Sequence, residues 1–217
     1  MITTKRILRR LSLDMEGMFK MNEEKCNNLT SHPTTVNQDD REKLLGQKGQ
    51  VILLTGLSGA GKSTIAYAVE KKLHDLSKLT YVLDGDSIRL GLNEDLGFSK
   101  EDRIENMRRM KEISIILSQT GVIVLLSFIA PIEKERLIFA DTFRERYTEV
   151  YVTCPLEICR ERDPKGLYEK VERGMIKEFT GVASVYEPPK SPHIVINTHE
   201  LSLEASVEVV VEHILSL

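Results

Sequence analysis

The chain has 217 residues, 41% hydrophobic and 29% charged, which suits one α/β domain with a real core. Its net charge of −3 leaves no electrostatic footprint for nucleic acid or an anionic membrane, and no apolar run reaches membrane length. The three cysteines, Cys26, Cys154 and Cys159, match no zinc or C-x-x-C spacing and point to a reduced intracellular compartment, the cytoplasm.

Residues 1–30 differ from the rest. Lys5-Arg-Ile-Leu-Arg-Arg10 is basic, with Leu11 following, the composition of an organellar presequence, although Asp14 and Glu16 intrude early. A disordered extension, or a start assigned upstream of Met21, is the other reading, and the folded domain is expected over 31–217. Residues 37–45 read as a short helix leading into the first strand.

From there apolar strands alternate with amphipathic helices, the pattern of a parallel sheet with helical crossovers. The strand candidates are 51–55, 80–83, 122–128, 149–153 and 193–196, which predicts a five-stranded sheet. The first ends in Gly56-Leu-Ser-Gly-Ala-Gly-Lys-Ser63, a full match to G-x-x-x-x-G-K-[ST], with helical apolar spacing from Thr64 to Leu73. Average residue usage gives this pattern by chance in roughly one chain per hundred, and the flanking strand and helix make chance rarer still. Gly56, Gly59 and Gly61 allow the backbone to curl, so that N–H groups from Leu57, Ser58, Ala60 and their neighbours, up to Thr64, surround phosphate oxygens. Lys62 is expected on the β/γ-phosphates and the Ser63 hydroxyl on Mg²⁺.

The second strand ends in Asp84-Gly-Asp86, two carboxylates at the sheet edge where ligands of open α/β sheets bind. Either acid could take a proton from an attacking hydroxyl or support Mg²⁺; turn-forming aspartates are the plainer alternative. Ser99 is a helix N-cap with Asp102 three residues on, and Gly121 closes that helix. Within it Arg103 and Asn106 share a face. With Arg89 they could converge on an anionic substrate while Phe98 stacks on a base; solvated charges and a core aromatic would leave the same pattern. The proline- and glycine-rich segment 163–192 is expected to fold over the site as a lid.

Taken together, the motifs resemble one family. Gly56 to Ser63, Leu83-Asp-Gly-Asp-Ser-Ile-Arg89, Leu96-Gly-Phe-Ser-Lys-Glu-Asp-Arg-Ile-Glu-Asn106, Asp163-Pro-Lys-Gly-Leu-Tyr168 and Ile176-Lys-Glu-Phe-Thr-Gly181 resemble adenylylsulfate kinase, as does Tyr186-Glu-Pro-Pro189. The resemblance implies a P-loop NTPase-type three-layer αβα fold with a lid. It also implies transfer of the γ-phosphate of ATP to the 3′-hydroxyl of adenosine 5′-phosphosulfate, with Mg²⁺, in a homodimer. Carried over by position, Asp86 is the acid at the 3′-hydroxyl. Arg89, Arg103, Asn106, Ile129 and Ala130 face the phosphosulfate substrate, Phe98 and Phe179 sandwich its adenine, and Lys165 lies in the lid.

Three departures stand out. Relatives carry Ile-Ser-Pro where this chain has Ile129-Ala-Pro131, so a phosphoserine route is closed and direct transfer is implied. Ile132-Glu133 replaces a more polar pair, and Glu178 stands where glycine is common. The rival readings are another small-molecule P-loop kinase, a GTPase-like switch and an inactive homologue. No Asn-Lys-x-Asp guanine motif supports the switch, and an inactive homologue should have lost Lys62 or Asp86.

Overall fold

The computed structural model describes residues 34–176, 179–182 and 184–217, and residues 38–217 form one compact unit. The N-terminal extension and Glu178 lie outside the described residues. Strand β1 (Gln50–Thr55) is buried along its whole length and sits at the centre of a five-stranded parallel sheet, in the order β2-β3-β1-β4-β5. Its neighbours are β3 (Ile123–Ser127) and β4 (Tyr147–Thr153); β2 (Thr80–Asp84) and β5 (Ile194–Asn197) form the edges. A strand covered on both faces can be apolar throughout, and this explains the unbroken Val51-Ile-Leu-Leu54 run.

The two faces divide by the period-two alternation of a strand. Ile52 and Leu54 pack with Ile65, Val69 and Leu73 of α2 (Lys62–Asp75) and Val207, Val210 and Ile214 of α8 (Leu203–Ser216). Val51 and Leu53 face Met107 and Met110 of α4 (Lys100–Gln119) and Phe139 and Phe143 of α5 (Glu133–Phe143). The result is three layers, helix on sheet on helix. Each large apolar side chain so buried stabilises the fold by about 1.5–3 kcal/mol.

Expected boundaries shift by a residue or more where backbone pairing overrides the side-chain pattern. β4 begins at Tyr147 rather than 149, because Tyr147 and Thr148 continue the ladder opposite Val51 and Ile52. The helix after the glycine-rich turn starts at Lys62 and reaches Asp75. The Ser99 cap is in place, its hydroxyl accepting from the Asp102 N–H at 3.1 Å. A short helix α1 (Gln38–Leu45) precedes β1, and Glu42 on it pairs with Arg146 and accepts the Gly49 N–H at 2.9 Å.

The 163–192 segment is partly rooted in the core. It follows α6 (Leu156–Arg162) and contains α7 (Leu167–Glu172), whose Tyr168 is buried and meets buried Phe179 edge-on, ring centroids 4.9 Å apart. The Tyr168 hydroxyl donates to the Ser58 carbonyl at 2.9 Å, which ties the segment to the turn after β1.

Candidate active site

All five strands are parallel, so their carboxyl ends gather on one edge, at Thr55, Asp84, Ser127, Thr153 and Asn197. Above that edge lies a cavity of about 1270 Å³. The turn from β1 into α2 forms one wall. It can adopt this path only with glycine: a Cβ on Gly59, whose φ is +77°, would lie 2.7 Å from the Cys159 carbonyl oxygen, and one on Gly56 would lie 2.1 Å from that of Val152. The N-cap of α2 is Gly61, with no side-chain cap, so the first-turn N–H groups are available to an anion.

Lys62 is buried and its ammonium donates to the Leu57 carbonyl at 2.8 Å. Burial, reinforced by the nearby charge of Lys165, pulls its pKa down to about 8. The Ser63 hydroxyl donates to Asp84 Oδ2 at 2.6 Å and lies 3.0 Å from the Ser127 hydroxyl. Buried Asp84 also caps α3 (Gly85–Arg89), its Oδ1 accepting the Asp86 N–H at 3.1 Å. The two carboxylates therefore differ in situation. Asp84 is buried against Ser63, while Asp86 is exposed in the cavity and ion-paired with Lys165.

The opposite wall holds the residues expected to take a second substrate. The Arg89 guanidinium lies 4.5 Å over the Phe98 ring and donates to the carbonyls of Leu96 and Gly97, at 3.1 and 2.7 Å. Burial and the neighbouring Arg103 lower its pKa. Arg103 donates to the Phe98 carbonyl at 3.0 Å and to the Thr180 hydroxyl at 2.7 Å. Asn106 accepts from the Asn93 amide at 2.8 Å. These side chains brace the loop that presents Phe98, which is 65% exposed, whereas Phe179 is buried at 7%. Ile129 and Ala130 complete the wall; their carbonyls accept from the Thr55 hydroxyl at 2.6 Å and from Arg136 at 2.7 Å.

Ser58, Gly59, Gly61, Lys62, Ser63, Thr64, Asp86, Arg89, Phe98, Arg103, Asn106, Ile129, Ala130, Lys165 and Phe179 all line this one cavity. Gly56, Leu57 and Ala60 do not, and Leu57 instead lines a separate cavity of about 440 Å³ with Tyr151 and Tyr186.

The cavity also contains Ser127, Glu135, Arg162 and Thr198, which motif reading missed. Thr198 directly follows β5, accepts from Arg162 at 2.9 Å and donates to the Ala60 carbonyl at 2.9 Å. Its position just past a parallel strand was the available signal. Ser63, Asp84 and Ser127 offer hard oxygen donors that suit Mg²⁺. Among the described residues no group of three His, Cys, Asp or Glu could hold a metal, and a site completed by substrate phosphates needs none.

The sequence model of the family described as adenylylsulphate kinase matches residues 48–197. The adenylyl-sulfate kinase of Clostridium acetobutylicum is 45% identical over 194 residues, which are 89% of this chain and 97% of that protein. That of Clostridium kluyveri is 50% identical over 175 residues, 81% of this chain and 88% of its own. Among solved structures, the Mycobacterium tuberculosis APS kinase CysC in complex with AMPPNP and APS superposes with a TM-score of 0.74 at 39% identity, covering 79% of this chain and 99% of that one. Family motif, relatives along nearly their full length and superposed fold agree: the chain belongs to the adenylylsulfate kinase family.

Proposed function

We propose that this protein transfers the γ-phosphate of ATP to the 3′-hydroxyl of adenosine 5′-phosphosulfate, yielding 3′-phosphoadenosine 5′-phosphosulfate and ADP. The observation that carries the reading is a single cavity holding a phosphate-binding turn, an exposed Asp86 and the Arg89–Phe98–Arg103–Asn106 wall. The relatives' adenylyl-sulfate kinase names support the same acceptor.

In this reading the α2 N-terminus and Lys62 hold the β- and γ-phosphates. Ser63, with Asp84 behind it, would hold Mg²⁺, which when bound supplies positive charge to the phosphate oxygens. Asp86 leaves Lys165 and accepts the 3′-hydroxyl proton. The O3′–Pγ bond forms as the bond from Pγ to the bridging oxygen breaks, and that electron pair stays on ADP. Phosphoryl transfer of this kind depends on positioning and charge neutralisation rather than covalent help from the protein. Ala130 has no hydroxyl to phosphorylate, so transfer is direct. Arg89, Arg103 and Asn106 meet the phosphosulfate, with Phe98 and Phe179 on the base. Stacking on aromatic faces suits any purine.

The test is ADP release with ATP plus adenosine 5′-phosphosulfate, set against ATP alone and ATP with sugar or shikimate acceptors. Turnover only with a sugar or shikimate would establish another small-molecule kinase instead. We further read the protein as a cytoplasmic homodimer whose residues 1–30 stand outside the kinase domain. Light scattering on 1–217 and 31–217 protein, with activity of both, tests the assembly and the domain boundary.

A further inference from the structure

Residues 129–131 line the cavity, and their backbone is held from behind. Three carbonyls in a row find donors outside the loop. That of Ile129 accepts from the Thr55 hydroxyl at 2.6 Å, that of Ala130 from the Arg136 guanidinium at 2.7 Å, and that of Pro131 from the Glu187 N–H at 2.9 Å. Ala130 needs this restraint. Its φ is +43°, a left-handed conformation that a residue other than glycine keeps only where its surroundings over-determine it. The Thr55 proton is directed at the loop, so the Tyr186 hydroxyl, 3.0 Å away, is the donor to Thr55. Burial pushes the Tyr186 phenol up to about 12, and it keeps the proton it donates.

Arg136 joins these contacts. At 2% exposure it lies behind the cavity wall rather than in it. Besides the Ala130 carbonyl it reaches the Glu187 carbonyl at 2.7 Å and Glu149 Oε1 of β4 at 2.8 Å, and its guanidinium lies 5.9 Å from the centre of the Tyr186 ring. The start of α5 depends on the same segment. Ile132 has no side-chain oxygen to cap it, and the Glu187 carboxylate accepts the Glu133 N–H at 2.8 Å instead. We propose that Arg136 and Tyr186 are positioning residues for the acceptor: acting through Ala130, and through Thr55 and Ile129, they set the wall presented to the phosphosulfate. This rests on the acceptor being adenosine 5′-phosphosulfate. Lysine cannot replace Arg136, because one ammonium does not reproduce a planar fork that reaches three acceptors. The turn that takes ATP is shaped by other groups, the carbonyls of Val152 and Cys159 against Gly56 and Gly59.

The experiment measures kcat and both KM values for wild type, Arg136→Lys and Tyr186→Phe, with a urea midpoint for each. In Arg136→Lys, kcat/KM for adenosine 5′-phosphosulfate should fall about 10–100-fold, the range for misplacement by up to an ångström, chiefly through the acceptor's KM. The KM for ATP should stay within about twofold, as for sites without shared partners. Tyr186→Phe keeps the ring beside Arg136 and removes one neutral hydrogen bond, so the acceptor's KM should rise about 2–10-fold. A role in stability alone would lower the urea midpoint and the active fraction, so that kcat falls and neither KM moves. An unchanged acceptor KM in folded Arg136→Lys therefore overturns the proposal, as does an equal rise in both KM values. If Arg136→Lys does not fold, Tyr186→Phe decides: a selective rise in the acceptor's KM supports the proposal, and an unchanged one overturns it. Absence of wild-type turnover on adenosine 5′-phosphosulfate would instead defeat the functional reading itself.

Discussion

Lys62→Met should make the protein more stable while disabling it. The lysine is buried at 8% exposure, and its pKa of about 8 lies 2.5 units below the ordinary 10.5. At about 1.36 kcal/mol per unit, keeping the ammonium charged in this site costs the fold about 3 kcal/mol at pH 7. Methionine fills similar volume without charge. It leaves the Leu57 carbonyl without its donor, a loss of about 1 kcal/mol, so the variant should gain about 2 kcal/mol. The sign with pH follows from a folded pKa below the unfolded one. The penalty is fully present below pH 8 and is relieved as pH rises towards 10.5, because the folded lysine loses its proton first. Urea denaturation of both proteins at pH 7 and pH 9.5 therefore provides the measurement. The variant's advantage should shrink to under about 0.5 kcal/mol at the higher pH. Phosphoryl transfer should meanwhile fall about 10²–10³-fold, as for loss of one transition-state contact. A variant less stable than wild type at pH 7, or a gap that does not change with pH, would refute the account of a strained buried charge. Near-normal turnover would refute the phosphate role.

Other outcomes follow from the same geometry. Asp86→Asn should lower kcat by about 10²–10⁴ with ATP binding kept. Asp84→Asn should be milder and act mainly on the Mg²⁺ dependence of ATP binding, since Asp84 stands behind Ser63; the reverse ranking would exchange the two roles. Incubation with γ-labelled ATP alone should leave no label on the protein, and initial-rate plots should intersect; parallel lines would indicate a covalent intermediate. Gly59→Ala brings a Cβ to 2.7 Å from the Cys159 carbonyl in a left-handed backbone, so it should cost about 1–3 kcal/mol in thermal or urea unfolding and weaken ATP binding.

What could be read from the sequence was what repeats locally. The unbroken apolar run of β1, the glycine turn and the Ser99 cap each rest on neighbours within a few residues, so spacing alone located them. The contacts that give the site its character link distant segments. Asp84 meets Ser63 across 21 residues, Lys165 meets Asp86 across 79, and Thr198 reaches Ala60 across 138. No periodicity encodes such pairs. Glu135 was hidden for another reason: on a helix bearing Glu133 and Lys134 it reads as one more solvated charge, and only its burial sets it apart. The 163–192 segment borders the cavity as expected, through Pro164, Lys165, Met175 and Ile176 among others; what spacing did not show is that Tyr168 and Phe179 also root it in the core.

The central place of β1 also governs when the site can come into being. During synthesis residues 50–55 emerge first among the strands, but their partners are residues 123–127 and 147–153. For the intervening stretch of translation, this fully buried central strand has no ladder to join. The glycine turn that follows it stays unshaped as well, because its path is set by carbonyls of Val152 and Cys159. Contacts this remote in sequence are reached late and at a cost in loop closure. A nascent chain halted before β4 would thus expose the Val51–Leu54 segment and bind no nucleotide, so competence for ATP should appear abruptly, once roughly three quarters of the chain has left the ribosome.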